Sequence, residues 1–212
     1  MSGPYDLEEQ ERIAELKGWW EDNGKFVIAA IVAVLLAIAG WRGWLWWTAS
    51  QAEDAGAMFH AVEKAARDRD PKKTAEAAQA LADKHPGSFF ASDAALIVAR
   101  DAFAEGRHAE ARAKLEWVAT RGAEELRGVA RLRLAAVLLD EKKYAEALQA
   151  LDANQDPAYA ALVADLKGDI MLAQGRLDEA RAAYKLAMDK AEARNPVRSL
   201  AEVKLNALGG AQ

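Results

Sequence analysis

The amino-acid sequence predicts an all-α protein, in which a single N-terminal transmembrane helix is followed by a solenoid of repeated helix pairs. Three observations predict this fold class. Residues 26–40 form an unbroken apolar run with tryptophans on both sides, residues 48–212 lack the period-two alternation of β-strands, and a short motif recurs in that region at nearly constant spacing. We therefore expect an N-terminal segment at residues 1–24, a membrane-spanning helix at 25–47 and a repeat domain at 48–212.

The first 24 residues are predicted to form a short amphipathic helix that leads to the membrane. Apolar side chains recur in this segment at helical spacing, and acidic residues occupy many of the remaining positions. The apolar positions are Leu7, Ile13, Leu16, Trp19 and Trp20. The dipeptide Asn23-Gly24 is expected to end this helix just before the span.

The next segment is predicted to cross a membrane as one helix. From Phe26 to Trp47 the chain carries a single charged residue, and at 1.5 Å per residue this run is about 33 Å long, enough for a hydrocarbon core of about 30 Å. Tryptophans on both sides are typical of the aromatic belts at the two membrane interfaces, where an arginine can extend outward along its aliphatic stem. The predicted interface anchors are Trp19, Trp20, Trp41, Arg42, Trp44, Trp46 and Trp47.

Two alternatives to an uncleaved membrane anchor stay open at this point. An apolar helix can be the buried core helix of a soluble protein, although tryptophans rarely bracket such a helix. The tripeptide Ala37-Ile38-Ala39 also fits the small-x-small pattern of a signal-peptide cleavage site. The preceding residues are numerous and acidic, whereas a signal peptide starts with a short basic region, so the uncleaved anchor is favoured.

The basic residues near the span predict its orientation. Arg12, Lys17 and Lys25 precede the span, whereas Arg42 alone lies at its C-terminal boundary. Because lysine and arginine collect on the cytoplasmic side of a membrane, the N-terminus is predicted to be cytoplasmic. Residues 48–212 would then lie in the periplasm of a Gram-negative bacterium, at the inner membrane.

The region after the span is predicted to be a series of helices of ordinary length. Turn signals separate these helices. The signals are Asp70-Pro71, His85-Pro86-Gly87, Gly106, Gly122, Lys142, Asp156-Pro157, Gly175 and Asn195-Pro196. We expect three full helix pairs across residues 88–191, an earlier pair from residues 48–84, and a final helix at 196–208 that caps the array.

A recurring five-residue motif identifies these helices as a repeat. It begins at Lys73, Arg107, Lys143 and Arg176. Its final alanines, at positions 77, 111, 147 and 180, lie 34, 36 and 33 residues apart. A period near 34 residues is that of paired-helix tetratricopeptide repeats, so the solenoid is predicted to be tetratricopeptide-like.

Small, turn and aromatic residues at matching register positions are expected to pack the helix pairs together. Small residues allow two helices to approach closely, and glycine adopts the positive φ of a helix end. The predicted packing residues are Ala99, Gly106, Ala111, Ala135, Ala147, Gly168, Gly175, Ala180, Tyr184 and Ala187.

Composition narrows the classes of function. The chain has no cysteine, which excludes a disulfide framework, a thiolate zinc site and a cysteine nucleophile. A net charge of −5 argues against a nucleic-acid partner bound through its phosphates. No phosphate-binding glycine loop or nucleophile elbow is present in the sequence. We therefore expect a protein that is not an enzyme and that uses no cofactor, metal or small-molecule substrate.

The first helix of each pair lines the concave face of such a solenoid, where a peptide or partner protein binds. Repeat register predicts which residues face it; the alternative is that they are ordinary surface and packing residues between repeats. The candidates are Asp93, Arg100, Phe103, Leu132, Leu139, Asp165, Asp169 and Leu172.

Three blocks of the sequence resemble the YfgM family, the ancillary subunits of the bacterial SecYEG protein-export translocon. They are EDNGK at Glu21–Lys25, GWRGW at Gly40–Trp44, and ALVADLKGDIMLAQGRLDEARAAY at Ala161–Tyr184. The resemblance implies a single-pass inner-membrane protein with a periplasmic repeat domain. It also implies association with SecYEG and with the periplasmic chaperone PpiD, and a role in passing newly exported proteins to periplasmic folding factors.

Two other functions stay open on the residues alone. A membrane-anchored helical-repeat adaptor could serve another envelope assembly process. Alternatively, the N-terminal segment could be the working part, as a tether for a cytoplasmic regulator. Both would use the same anchor and the same repeats.

Overall fold

A computed structural model describes the backbone of residues 5–209 and the side chains of residues 11–209. The described backbone is helical, with no strand in it. The helices are α1 Tyr5–Arg67, α2 Pro71–Lys84, α3 Phe89–Ala104, α4 His108–Arg121, α5 Glu124–Asp140, α6 Tyr144–Asp152, α7 Ala160–Ala173, α8 Leu177–Lys190 and α9 Pro196–Ala207, with a short 3₁₀ helix at Pro157–Tyr159. Predictions for residues 1–4, the Leu7 side chain and residues 210–212 lie outside the described residues.

The chain divides into two compact units, Met1–Gln51 and Ala52–Gln212. In the first unit, the apolar side chains from Ile28 to Trp47 are exposed, with Leu36 68% exposed, and Val27 is half-buried. This part of α1 is therefore not the buried core helix of a soluble domain, and it is long and apolar enough to cross a membrane. The six tryptophans predicted as anchors are 50–74% exposed, and Arg42 is exposed.

The predicted break at Asn23-Gly24 is wrong, because α1 continues through both residues. The Asn23 amide donates a hydrogen bond to the Trp19 carbonyl at 3.0 Å, within the helix. The Trp20 indole covers Gly24 so closely that an added Cβ would lie 3.0 Å from its ring. A glycine inside a helix costs only about 1 kcal/mol relative to alanine, which a long helix tolerates.

Four helix hairpins of the second unit share one turn geometry. In each turn, one residue adopts the left-handed conformation that closes a Schellman motif. These turn residues are Arg69, Gly106, Lys142 and Gly175, with φ of 55°, 75°, 60° and 75°. In each motif a backbone N–H donates a hydrogen bond to the carbonyl five residues earlier, at 2.8–3.0 Å. The donor and acceptor residues are Asp70 and Ala65, Arg107 and Ala102, Lys143 and Leu138, and Arg176 and Met171. The two helices of every hairpin are thus joined in the same way, and α9 follows the last hairpin.

Lys142 occupies a backbone conformation that glycine adopts without strain. A left-handed conformation costs a residue with a Cβ about 1–2 kcal/mol, while glycine loses about 0.5–1 kcal/mol more backbone entropy on folding. We therefore expect Lys142→Gly to raise the free energy of unfolding by about 0.5–1 kcal/mol. Thermal unfolding of the detergent-solubilised chain, followed by circular dichroism, measures this change.

The reciprocal variant Gly175→Lys is the matched control for this prediction. Gly175 has the same φ and no atom within 4 Å of an added Cβ, so the substitution tests the backbone alone. It should lower stability by a similar amount. Equal stability of both variants and the wild type would show that the turn conformation is not strained.

In the structure, the first of the four motif matches is out of register with the other three. Four residues after each N-cap, a small residue is buried. These residues are Thr74, Ala111, Ala147 and Ala180, at 1%, 0%, 0% and 0% exposure. Ala77 is only half-buried, so the predicted motif alanine lies three positions out of register. The alanine-rich sequence of α2 produced a match almost one turn too late, and the Thr74 hydroxyl is satisfied by donating to the Asp70 carbonyl at 2.8 Å.

Paired core residues differ in size from hairpin to hairpin in a complementary way. One lies seven positions before the turn residue and the other nine positions after it. The pairs are Val62 and Ala78, Ala99 and Leu115, Ala135 and Leu151, and Gly168 and Tyr184, all buried. Each hairpin therefore combines one smaller and one larger side chain, and the last one combines the smallest residue with an aromatic ring.

Candidate partner-binding site

The predicted residues of α3 contribute to a cleft between α3 and α5. Arg100 and Phe103 lie at this cleft, which has a volume of about 320 Å³. Its other residues are Ala99, Leu115, Arg133, Ala136 and Val137. Asp93 is half-buried on the same helix, and burial raises the pKa of its carboxyl against the opposing effect of Arg133.

The predicted residues of α5 have a different environment. Leu132 and Leu139 are half-buried and pack against the central hydrophobic core, which includes Leu115, Leu134 and Ile170. For both leucines the structure favours packing between repeats, the alternative that the sequence had left open. The open side of α5 instead presents Arg133 and Ala136, which register reasoning did not select.

The predicted residues Asp165 and Asp169 of α7 form a polar cluster with the last helix. Lys204 of α9 donates hydrogen bonds to Asp165 Oδ2 at 2.7 Å and to Asp169 Oδ2 at 2.8 Å. The Tyr184 hydroxyl donates to Asp169 Oδ1 at 2.8 Å, and the Lys204 ammonium lies 5.5 Å from the centre of the Tyr184 ring. These aspartates therefore join α9 to α7, while Leu172 stays 38% exposed at the end of α7.

Burial and hydrogen bonding both shift the pKa values of the groups in this polar cluster. Burial raises the pKa of Asp165, and the ion pair with Lys204 opposes the rise. Burial by itself would lower the pKa of Lys204, but its bonds to Asp165 and Asp169 outweigh that effect and raise it. Burial and the hydrogen bond to Asp169 raise the pKa of Tyr184. The second oxygen of Asp165, Oδ1, is buried without a hydrogen-bond partner.

We expect the repeat domain to lose stability above about pH 10 because of this cluster. Tyr184 and Lys204 bind their protons more tightly in the folded state, so unfolding releases protons above their ordinary pKa values of 10.0 and 10.5. The stabilisation that these two groups contribute is fully present below about pH 10, and it is lost as the pH rises toward their folded-state pKa values. Melting temperatures measured between pH 8 and 12 give the dependence of stability on pH. Tyr184→Phe should make this dependence weaker. An equal slope in that variant would contradict a role for the tyrosine.

The residues that were predicted to pack the helix pairs together lie inside the hairpins. Ala99, Ala111, Ala135, Ala147, Ala180, Tyr184 and Ala187 are at most 2% exposed, and Gly106 and Gly175 are the turn residues described above. Gly168 faces the Tyr184 ring, whose Cε1 would lie 2.4 Å from an added Cβ. Among the side chains of residues 11–209, no group of three or more histidine, aspartate or glutamate residues could hold a metal ion.

Comparison with known proteins agrees with this architecture. The tetratricopeptide repeat-like domain family matches residues 17–210. The ancillary SecYEG translocon subunit of Neisseria gonorrhoeae is 31% identical over 204 residues, which cover 95% of this chain and 98% of that relative. The ancillary SecYEG translocon subunit of Escherichia coli is 28% identical over 203 residues, with 94% and 96% covered. The chain belongs to the YfgM family.

A solved structure shares the fold of this YfgM chain. MamA from Desulfovibrio magneticus RS-1, from residue 41 to its end, matches with a TM-score of 0.53 and 19% sequence identity. The match covers 74% of this chain and 96% of that one. At this identity the likeness shows the helical-repeat fold alone.

Three residues of the YfgM chain's candidate surfaces were missed by sequence reasoning. Arg133 and Ala136 occupy the α5 side of the cleft, and Lys204 occupies the space between the two aspartates of α7. Arg133 and Ala136 lie on the exposed face of α5, and a helical-wheel comparison with Arg100 and Phe103 would have found them. Lys204 lies 35 residues beyond Asp169, and no local signal in the sequence connects the two.

Proposed function

We propose that this chain is an ancillary subunit of a bacterial SecYEG translocon. The observation that supports it most directly is the extent of the similarity. The relatives that carry this name are similar along about 95% of the chain, and the match includes both the candidate membrane helix and the repeats. The repeat domain acts by binding other proteins, and it uses no catalytic residue.

In this proposal α1 anchors the chain in the inner membrane, with its N-terminus in the cytoplasm and residues 48–212 in the periplasm. The spacing of the exposed tryptophans supports the anchor. Trp20 and Trp41 are 21 residues apart on one helix, which corresponds to about 32 Å and matches the thickness of the hydrocarbon core. The indoles on either side would lie at the two interfaces, and Arg42 would extend to the polar headgroups.

The repeat domain serves in this proposal as a periplasmic scaffold. It binds the chaperone PpiD and brings exported proteins close to periplasmic folding factors. The concave side of the hairpins, with Asp93, Arg100 and Phe103 on α3, is the surface that we assign to partner proteins. The family resemblance of the sequence motivates the chaperone assignment.

Affinity purification of the full-length chain tests the proposed partners. The tagged chain is expressed at its native level and extracted in mild detergent, and the recovered proteins are identified by mass spectrometry. We expect SecYEG subunits and PpiD. A matched chain that ends at residue 51 shows which partners need the repeats. Recovery of another envelope assembly complex without SecYEG would overturn the proposal and support the alternative adaptor function.

Two further variants of the chain test the orientation and the role of the N-terminus. A reporter enzyme that works only outside the cytoplasm, fused after Gln212, should be active. A reporter that is active only in the cytoplasm at this position would contradict a periplasmic repeat domain. Removal of residues 1–20 should leave SecYEG recovery unchanged, whereas its loss with a folded repeat domain would favour the tether of a cytoplasmic regulator.

A further inference from the structure

The cleft between α3 and α5 combines an apolar interior with two exposed arginines. Ala99, Leu115 and Val137 form the apolar surface, and Phe103 adds an aromatic ring that is 37% exposed. At about 320 Å³ the cleft lies at the small end of the range of ligand pockets, about 300–1,000 Å³. It therefore suits one or two apolar side chains of a partner and is too small for a folded element.

The two arginines of this cleft are available to an incoming anion. Among the described side chains, Arg133, which is exposed on α5, forms no salt bridge, and its charge acts on the half-buried Asp93 carboxyl only at longer range. Arg100 pairs with Asp101, its neighbour in the chain, at 2.9 Å. Exposed pairs of this kind contribute about 0–1 kcal/mol, so a stronger partner can replace Asp101.

Guanidinium groups select the chemistry of that partner. A guanidinium binds a carboxylate through two parallel hydrogen bonds, which is stronger and more specific than the contact of an ammonium. Here Arg100 comes from α3 and Arg133 from α5, the two helices between which the cleft lies. A ligand that fits both features has an apolar side chain between acidic groups.

We propose that this cleft binds an extended segment of a partner protein in which a leucine- or phenylalanine-sized side chain is flanked by carboxylates. The apolar side chain enters the cleft over Leu115 and Val137, and the flanking carboxylates pair with Arg100 and Arg133. The inference rests on the proposed function in one respect, that the chain acts by binding other proteins.

Peptide binding to the full-length chain in lipid nanodiscs tests this proposal. Fluorescence anisotropy is measured with a labelled ten-residue peptide of glycine and serine that contains a central Asp-Phe-Glu. We expect this peptide to bind, and we expect binding to weaken at least tenfold when the core is Asn-Phe-Gln or Asp-Ala-Glu. Excess inorganic phosphate should not compete; full competition by phosphate would reveal a simple anion site and overturn the proposal.

Charge reversal in the protein provides the second test. Arg133→Glu and Arg100→Glu should each weaken binding of the acidic peptide at least tenfold, and Arg133→Glu should gain affinity for a Lys-Phe-Glu core. The matched control is Arg194→Glu, which reverses an exposed charge in the loop before α9 and should leave binding unchanged. Circular dichroism verifies that all three variants are folded.

Two outcomes distinguish a failure of the cleft proposal from a failure of the translocon assignment. If the chain recovers SecYEG but the acidic peptide does not bind at millimolar concentration, or binds equally to both charge-reversal variants, the cleft proposal is wrong. If the peptide binds as expected and no translocon subunit is recovered, the translocon assignment is wrong and the cleft proposal stands.

Discussion

Gly168→Ala is expected to lower the free energy of unfolding of the repeat domain by about 2–3 kcal/mol, because it overpacks a buried contact. The new Cβ would lie 2.4 Å from Cε1 and 2.6 Å from Cδ1 of Tyr184. The tyrosine cannot move aside freely, since its ring is fully buried and its hydroxyl is hydrogen-bonded to Asp169. Urea or thermal unfolding of the solubilised chain measures the loss.

The control for this variant is a glycine with open space around it. Gly87 lies in the turn between α2 and α3, and no atom is within 4 Å of an added Cβ. Gly87→Ala should change stability by about 0.5 kcal/mol or less. A loss at Gly168 no larger than that at Gly87 would show that the Tyr184 ring does not constrain the hairpin.

A double substitution tests whether the two residues act as a pair. The preceding two hairpins carry Ala99 with Leu115 and Ala135 with Leu151 at the same register positions. Gly168→Ala combined with Tyr184→Leu would recreate that pair, so the double variant should lose at least about 1 kcal/mol less stability than the sum of the losses in the two single variants. Simple additivity would contradict the complementary packing.

Local signals account for most of the fold that the sequence predicts correctly. Proline and glycine restrict or release the backbone at their own positions, so the helices of the repeat domain end at the predicted turn signals. Lys142 is the instructive case. It has no intrinsic preference for a positive φ, and it was selected only because Gly106 and Gly175 occupy the same register position.

Long-range packing accounts for what the sequence did not predict. Gly128 was not selected as a packing residue, yet the Tyr159 ring fills the space that a Cβ at this position would need, and the Asn154 amide donates a hydrogen bond to the Gly128 carbonyl at 3.1 Å. Repeat register predicted that Asp165 and Asp169 face the binding surface. Their environment depends on Lys204, which belongs to another helix.

Lys204→Met is expected to lower stability by about 2–3 kcal/mol at pH 7, because the ion pairs of Lys204 with Asp165 and Asp169 are partly exposed and removal of one partner from a fully buried pair costs about 3–5 kcal/mol. The substitution keeps most of the side-chain volume and removes the charge. Two carboxylates would remain close together with the Tyr184 hydroxyl as the donor to one of them, and Oδ1 of Asp165 already lacks a partner. Thermal unfolding of the variant and the wild type at pH 7 measures the difference.

This difference should shrink as the pH falls from 7 to 5. The folded-state pKa of Asp165 is already raised by burial, and removal of Lys204 removes the interaction that lowers it. A carboxyl whose pKa is higher in the folded state binds protons preferentially in that state. Stability of the variant therefore rises as the pH falls toward the ordinary value of 3.8. The half-buried carboxylates with lowered pKa, such as Asp54 and Glu141, weaken the fold only at lower pH.

The double variant Lys204→Met with Asp165→Asn identifies the source of the loss. If the cost comes from an unpaired buried charge, the neutral amide at position 165 should restore about half of the stability at pH 7 and flatten the pH dependence. If the cost comes from lost packing of α9 on Tyr184, the amide restores nothing and the difference is independent of pH. The first outcome would show that α9 is fixed to α7 by charge compensation, and that the two aspartates stabilise the end of the array instead of binding a partner.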